Sequence, residues 1–217
     1  METANRTQNP RELPIVGGHL ALDFANTVDD PQGPQRYDHA GTYPELVGWS
    51  ARIGILQSEQ ADALLAAADE HPHVRSMTVR RAHALRRILI DTFTEIAVIN
   101  SDVAAGPRRP PSMHWDELRP FVTEAVAHAD LVPSASTYQL TWPETTRLDV
   151  MLGPIGLAAL DLLTSSQLSR LKKCAGCPWV FLDQSKNLSR RWCAMNDCGT
   201  HEKIRRYVTR RAARKRA

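Results

Sequence analysis

The sequence predicts an α+β protein in two parts: a mostly helical N-terminal domain with a few strands, residues 1–168, and a small C-terminal module, residues 169–217. Three observations support this prediction. Apolar residues recur at helical spacing through most of the first part, and two short stretches alternate as strands do. All four cysteines lie between residues 174 and 198. The charge divides at the same place, because the first part is acidic and the second is strongly basic.

The helices of the N-terminal domain are predicted from the spacing of their apolar residues. Residues 75–100 give the clearest pattern, since apolar side chains recur at helical spacing without an intervening Gly or Pro: Leu85, Ile88, Leu89, Phe93 and Ile96. Shorter helices are predicted at 43–55, at 58–68 with Ser58 as the N-cap, at 115–131 with a start near Pro120, and at 155–168 behind Pro154.

Two stretches are predicted as strands from alternating apolar residues. Residues 17–27 contain Leu20, Leu22 and Phe24 after a pair of glycines, and residues 136–142 contain Tyr138, Leu140 and Trp142. Residues 1–13 are polar and are predicted to be disordered or loosely attached. Residues 29–43 and 104–112 are rich in turn-forming residues and are predicted as loops.

The cysteine pattern predicts a structural zinc site. Cys174 and Cys177 form one close pair, and Cys193 and Cys198 form a second pair after fifteen intervening residues. Two such pairs supply four thiolates to one tetrahedral Zn²⁺ and leave no open coordination position. The alternatives are two disulfides, a redox motif or unrelated thiols. We disfavour disulfides, since the chain begins without the apolar stretch of a secretory signal and we expect it in the reducing cytoplasm.

The charge distribution indicates a polyanionic partner for the C-terminal module. Residues 170–217 carry fourteen Lys/Arg and three Asp/Glu, a net charge of +11, whereas residues 1–169 carry thirteen and twenty-one, a net charge of −8. Nucleic acid is the first candidate for such a basic segment. A solvated basic tail that only aids solubility is the alternative. No apolar run approaches the roughly 18 residues of a membrane span, so we expect no membrane partner.

A basic helix is predicted at 201–215, with Gly199 allowing a tight turn after the last cysteine and Thr200 as the N-cap. Ile204, Tyr207 and Val208 fall on one face and are predicted to pack on the module. A neighbouring basic stripe is predicted to face phosphates. Trp192 is interpreted as a core anchor, with base stacking as the alternative. The predicted nucleic-acid-binding residues are Arg190, Arg191, Lys203, Arg205, Arg206, Arg210 and Arg214.

The N-terminal domain contains no familiar catalytic signature such as GxGxxG, a P-loop, HExxH or GxSxG, so we expect no enzymatic activity. Its histidines are scattered without ligand spacing. Asp23, Asn26 and Thr27 lie at the end of the first predicted strand and are candidate ligand-binding residues. A turn capped by the same side chains is the alternative interpretation.

Around the cysteines the sequence resembles the CGNR zinc-finger family. The resemblance lies in Cys174-x2-Cys177, Phe181-x-Asp183-x-Ser185, Arg190-Arg191-Trp192-Cys193-x-Met195 and Cys198-Gly199, and residues 22–27 resemble the Leu-x-Phe-x-Asn-Thr opening of the ABATE domain that precedes the finger in this family. The resemblance implies a treble-clef or ribbon-like zinc module and a bacterial, zinc-dependent, DNA-binding transcriptional regulator. It also implies an N-terminal domain that senses a small ligand or a stress signal.

One departure from the family pattern bears on DNA binding. The family continues Cys-Gly-Asn-Arg, whereas this chain reads Cys198-Gly199-Thr200-His201. Thr can replace Asn as an N-cap, but the lost Arg removes one contact to a phosphate or a base. His201 could partly replace that contact, or it could stand near the metal instead. Two other functions stay open: an interaction protein whose zinc module binds RNA or an acidic protein, and an enzyme with a pocket in the N-terminal domain. A homodimer would suit a palindromic operator.

Overall fold

The structure is a computed structural model that describes residues 13–28, 37–101, 114–143 and 147–216. The predicted loop at 104–112, most of that at 29–43 and nearly all of the predicted loose segment 1–13 lie outside these residues. The helices are α1 Leu20–Ala25, α2 Tyr43–Arg52, α3 Ser58–Glu70, α4 Pro72–Ser101, α5 Trp115–Ala127, α6 Leu152–Thr164 and α7 Thr200–Arg216. The strands are β1 Asp130–Ser134, β2 Thr137–Thr141, β3 Leu171–Lys173 and β4 Val180–Leu182. The predicted α+β class is confirmed.

Helix α4 is the central element of the fold. It packs against α1, α2, α3, α5, α6 and both strands of the β3–β4 hairpin. The apolar stripe predicted from the sequence is the buried face of this helix. Pro72 occupies its first turn, where a residue without an N–H loses no helical hydrogen bond. The 30-residue length of α4 is therefore stabilised by neighbours along its whole course.

The strand predicted at 17–27 is wrong, because Leu20–Ala25 forms helix α1. His19 caps this helix by accepting a hydrogen bond from the Ala21 N–H at 3.4 Å. Ala21, Leu22, Asp23, Phe24 and Ala25 are all buried. α1 lies between α4 and α6, so it has no solvent-facing side. An alternating pattern cannot distinguish a half-buried strand from a short helix that is buried all round.

The other predicted helices form, with shifts at their ends. Gln57 rather than Ser58 is the N-cap of α3, and it makes no capping hydrogen bond. α5 begins at Trp115 and contains Pro120, and it ends at Ala127. α6 begins at Leu152 and ends at Thr164, after which Ser166–Arg170 forms a 3-10 helix. The predicted boundary at 168/169 falls within that 3-10 helix.

The predicted strand at 136–142 is confirmed, and its partner was not predicted. β2 pairs antiparallel with β1, with Leu131 opposite Leu140 and Pro133 opposite Tyr138. Leu131, Leu140 and Tyr138 are exposed. The helix prediction for 115–131 extended over the start of β1, because no Gly or Pro between Phe121 and Leu131 marks the end of the helix.

The β3–β4 hairpin belongs to the main hydrophobic core. Leu171, Val180 and Leu182 are buried together with the side chains of α1, α4 and α6. A second, smaller cluster contains Cys174, Phe181 and Cys193. The C-terminal module thus shares apolar contacts with the N-terminal part. No helix in the described residues has both the length and the apolar character needed to cross a bilayer.

Candidate metal centre

The β3–β4 hairpin positions the first cysteine pair. The two strands pair antiparallel, with Lys172 opposite Phe181. Beyond β3, the Cys174 N–H donates to the Trp179 carbonyl at 2.8 Å, which closes the turn that holds Cys174 and Cys177. The Ala175 N–H donates to the Arg191 carbonyl at 2.9 Å. This second bond joins the first knuckle to the segment that carries Cys193.

The four cysteine sulfurs lie close enough together to bind one metal ion. All four Sγ atoms lie within 4.8 Å of one another. The Cys177 and Cys193 sulfurs are 3.6 Å apart, and those of Cys193 and Cys198 are 3.7 Å apart. Four thiolates about 2.3 Å from one zinc ion have sulfurs separated by about 3.8 Å, whereas a disulfide needs about 2.05 Å. The site is therefore that of one structural zinc ion, as predicted, and the disulfide alternative does not fit.

Backbone N–H groups support the thiolate form of Cys174. This thiol accepts hydrogen bonds from Cys177 and Cys193, and the N–H groups of Cys193 and Gly176 add donors at 3.3 and 3.4 Å, which together hold its pKa well below the usual range. Metal binding requires the deprotonated thiolate. Gly176 is also required by close packing, because a Cβ at this position would lie 3.1 Å from the Cys198 Cβ.

Asp183 organises the segment between the two cysteine pairs. Its side chain is fully buried and accepts four hydrogen bonds. Oδ1 accepts from the Ser185 N–H at 3.0 Å and the Ser185 hydroxyl at 2.6 Å, and Oδ2 accepts from Lys172 Nζ at 2.7 Å and the Arg190 N–H at 2.9 Å. Burial alone would raise the pKa of Asp183, but the Lys172 ammonium and these donors hold it well below its usual range. Asp183 and Ser185 thus cap a turn, and the segment forms no helix.

Lys172 is a functional residue that the sequence interpretation missed. Its Nζ also donates to the carbonyls of Leu188 and Arg190, so one ammonium closes the turn that Asp183 opens. Leu188 has a positive φ of 48°, which such anchoring stabilises. A buried aspartate directly after a strand requires a cation nearby. This requirement is the signal by which Lys172 could have been found from the sequence. Lys172 lies on β3, the strand paired with β4.

Arg190 faces the module rather than solvent. Its Nε donates to the Trp192 carbonyl at 2.9 Å and its Nη2 donates to the Cys193 carbonyl. The guanidinium carbon lies 4.7 Å from the centre of the Phe181 ring. Arg191 is exposed, and its guanidinium lies 5.4 Å from the centre of the Trp192 ring. Trp192 is half-buried beside the cysteines. Of the two neighbouring arginines, only Arg191 has its charge available at the surface.

The candidate ligand residues Asn26, Asp23 and Thr27 all make hydrogen bonds within the protein. The Asn26 amide donates to the Val180 carbonyl at 2.9 Å and accepts from the Val180 N–H at 3.2 Å, so it pairs with β4 as a neighbouring strand would. Asp23 accepts from the Gly17 N–H at 2.7 Å, and burial raises the pKa of its carboxyl. The Thr27 hydroxyl donates to the Phe24 carbonyl at 2.8 Å.

Two further bonds hold the metal centre on the N-terminal part. The Trp179 indole N–H donates to the Val28 carbonyl at 2.8 Å, and the Leu182 N–H donates to the Gly17 carbonyl at 2.8 Å. Together with Asn26, they connect β4 and its preceding turn to the chain on both sides of α1. The junction is thus hydrogen-bonded through main-chain groups as well as packed.

Helix α7 leaves the metal site without a cap. Met195–Gly199 forms one π-helical turn that contains Cys198, and α7 continues directly from it. The prediction that Thr200 is an N-cap is wrong, because its backbone is helical and its hydroxyl donates to the Met195 carbonyl at 3.2 Å. Gly199 has no positive φ, and the atom that a Cβ there would meet, at 2.6 Å, is the sulfur of Met195, an exposed and flexible side chain that can move. His201 is exposed, its Nδ1 lies 3.7 Å from Asp197 Oδ1, and among the described residues it does not belong to the cluster of metal ligands.

The predicted packing of the apolar face of α7 is wrong. Ile204, Tyr207 and Val208 are 55, 64 and 58 % exposed. The main neighbour of α7 is the π-helical turn before it. On the basic side, Lys203 is exposed, and Arg205 and Arg206 both pair with Glu202, at 2.5 and 2.9 Å. Arg210 and Arg214 follow on the same helix, with side chains outside the described part.

Two family models match separate parts of the chain. Residues 18–166 match the model of the ABATE family, described as "Putative stress-induced transcription regulator". The chain belongs to the ABATE family. Residues 170–211 match the CGNR zinc finger, whose four cysteines are those of the metal site. No curated protein matched the chain. The ABATE segment therefore contributes α1–α6 and the CGNR finger contributes the β3–β4 hairpin and the start of α7.

Proposed function

We propose that this ABATE protein is a zinc-dependent, DNA-binding transcriptional regulator whose N-terminal domain senses a small ligand or stress signal. The single observation that carries the proposal is the exposure of α7. Residues 203–209 are all exposed on a helix that begins two residues after the last zinc ligand. A basic helix held at one end by a metal site is an arrangement suited to contacting a polyanion.

The charge along α7 supports a nucleic-acid partner. Residues 199–217 contain eight Lys/Arg and one acidic residue, Glu202. Glu202 lies in the first turn, where its carboxylate interacts favourably with the helix dipole. The same carboxylate pairs with Arg205 and Arg206 and orders their side chains. Lys203 and Arg211 are exposed and have no ion-pair partner among the described residues. Arg191, exposed at the edge of the metal site, adds a further positive charge that the same duplex could reach.

The zinc ion would act structurally in this function. Four thiolates complete its tetrahedron, so no position is open for a reacting water or substrate. When bound, the zinc ion would hold both cysteine pairs together. The chain itself then fixes the start of α7 through Cys198 and the π-helical turn. Removal of zinc by a chelator should release that turn and abolish DNA binding.

The test compares two double variants that remove the same charge. Lys203→Gln with Arg206→Gln alters α7, and Arg80→Gln with Arg119→Gln alters two exposed arginines of the ABATE domain. Affinity for a duplex is measured between about 50 and 200 mM salt. The α7 variant should weaken binding about tenfold and reduce the magnitude of the salt slope by about 1.8, since each phosphate contact contributes about 0.9. Equal affinities and slopes for the two variants would refute the role of α7.

A second candidate, an interaction protein that binds an acidic protein partner, is favoured by the exposed apolar residues of α7. Ile204, Tyr207 and Val208 lie beside the basic stripe, and a protein partner would cover them. A duplex would contact them little. Replacing all three by Ser should therefore leave DNA affinity within threefold under the first proposal. A loss as large as that of the Lys203→Gln/Arg206→Gln variant would show that the duplex itself contacts these residues, and would remove the observation that favours a protein partner.

A further inference from the structure

A cavity of about 220 Å³ lies where the ABATE domain meets the zinc finger. One part of its lining is α4, and another is the turn and strand formed by Pro178, Trp179 and Val180. The end of α1 and Val28 close a third side. A molecule in this cavity would therefore contact both family segments at once.

The α4 wall is one stripe of the helix. His83, Arg86, Arg87, Ile90 and Thr94 line it, at offsets of 0, 3, 4, 7 and 11 residues. Such spacing places side chains on a single helical face. The stripe begins with three side chains that can carry positive charge and continues with an apolar and a hydroxyl side chain. The cavity thus has a cationic end and a mainly apolar end.

Some polar groups that line the cavity already pair with other groups of the protein, and others do not. Arg86 is 6 % exposed and donates to both oxygens of Asp38, at 2.5 and 2.6 Å, and to Thr27 at 2.9 Å. Both ends of the Asn26 amide pair with Val180. Arg87 is exposed, and among the described residues no hydrogen-bond or ion-pair partner meets its guanidinium. Arg87 is therefore the charge of this wall that a ligand can neutralise.

The apolar wall is held in place. The Trp179 indole N–H donates to the Val28 carbonyl at 2.8 Å, which fixes the ring beside the cavity. Pro178 and Ile90, which also line the cavity, add apolar surface. A fixed indole and an aliphatic side chain in one cavity suit a flat apolar group. An apolar cavity of about 150 Å³ accommodates benzene, so this one has room for a ring with a substituent.

We propose that this cavity binds a small aromatic carboxylate. The ring contacts Trp179 and Ile90, and the carboxylate pairs with Arg87. Arg–carboxylate pairs are frequently bidentate, which favours an acid over a neutral ring. The inference rests on the proposed function in one respect: it gives the location and chemical class of the signal that the ABATE domain would sense.

The cavity also indicates how binding would reach the zinc finger. Trp179 lies two residues beyond Cys177, and Val180 begins the strand that Asn26 holds. A ligand that contacts both Arg87 and Trp179 would add a link between α4 and the first cysteine knuckle. The effect is a coupling between two sites, and its size equals the ligand's difference in affinity for the DNA-bound and free protein.

The test uses benzoate on the full, zinc-loaded chain without DNA. The indole N–H signal of Trp179, assigned with Trp179→Phe, is followed in nitrogen-15 NMR spectra during titration. Benzoate should shift this signal saturably at millimolar concentration, and benzamide should bind at least tenfold more weakly. Arg87→Gln should weaken benzoate about tenfold. The matched control is Arg80→Gln, which removes an exposed arginine of α4 about 10 Å away along the helix and should leave binding unchanged.

The absence of a saturable Trp179 shift, equal binding of benzoate and benzamide, or equal losses in Arg87→Gln and Arg80→Gln would overturn the inference. Unchanged remaining indole signals in Arg87→Gln establish that the variant is folded. Duplex affinity without benzoate is measured separately on the wild type. If the protein binds the duplex but not benzoate, only this inference is refuted. If it binds benzoate but not the duplex, the proposed function is refuted and the ligand site is retained.

Discussion

Replacing Asp183 by Asn should weaken zinc binding about a hundredfold. The carboxylate accepts two hydrogen bonds on each oxygen, from Ser185 on one side and from Lys172 and the Arg190 N–H on the other. Asn keeps one oxygen and presents an NH₂ group to the other pair of donors. Two bonds are therefore lost inside a site that excludes solvent.

The magnitude follows from those two bonds. A hydrogen bond to a charged group contributes about 1.5–3 kcal/mol and a neutral one about 1 kcal/mol. Lys172 keeps its carbonyl partners Leu188 and Arg190, which limits the penalty for an ammonium without its carboxylate. We expect a loss of about 3 kcal/mol. Because zinc binds the folded module, this loss appears as about a hundredfold weaker zinc affinity, at about 1.4 kcal/mol per tenfold.

The assay is competition for zinc with a chelator of known affinity, on reduced protein. Ser185→Ala removes the hydroxyl but leaves the carboxylate, so its zinc affinity should fall tenfold or less. Lys186→Gln alters an exposed side chain in the same turn and should have no effect. A zinc affinity of Asp183→Asn within threefold of the wild type would refute the idea that this buried carboxylate holds the module together.

Three further perturbations test the N-terminal part. Asn26→Ala leaves the buried N–H and carbonyl of Val180 without partners and should lower the free energy of unfolding by about 2–3 kcal/mol in a denaturant titration; a loss under 0.5 kcal/mol would contradict this. Burial raises the pKa of Asp38, but the Arg86 pair outweighs it and holds that pKa below the usual value, so the stabilisation is present above about pH 4 and is lost as the pH falls through the lowered pKa. The stability gap between wild type and Asp38→Asn should therefore shrink from pH 7 to pH 3, and a constant gap would be inconsistent with the ion pair. Gly17→Ala places a Cβ 2.9 Å from the Asp23 backbone nitrogen and should lower the melting temperature, with a cost of about 2 kcal/mol, whereas an unchanged melting temperature would mean that the contact relaxes freely.

The zinc site could be predicted from the sequence because its ligands are close along the chain. A thiolate pair within one turn needs little from the rest of the fold, and four thiolates determine both the metal and its geometry. The capping role of Asp183 was also predictable, since Ser185 and the turn it closes are local. Lys172 was not, because it reaches Asp183 only through the pairing of β3 with β4.

The wrong predictions concern elements whose surroundings are formed by residues distant in the sequence. Residues 20–25 became a helix because α4 and α6 bury every side of them, which no local pattern reports. Asn26 was a candidate ligand residue, and its amide pairs with Val180, 154 residues later. The apolar side of α7 was expected to pack because it is amphipathic. It is exposed because the helix continues straight out from the π-helical turn.

The sequence by itself determined the metal, the number of its ligands and the place of the positive charge, since these depend on residue type and short spacing. The tertiary structure alone decided what the positive charge can reach. It turned Arg190 inward onto Phe181 and left Arg191 and Lys203 at the surface. It also brought Arg87 and Trp179 to the lining of one cavity, because α4 and the zinc hairpin share a hydrophobic core.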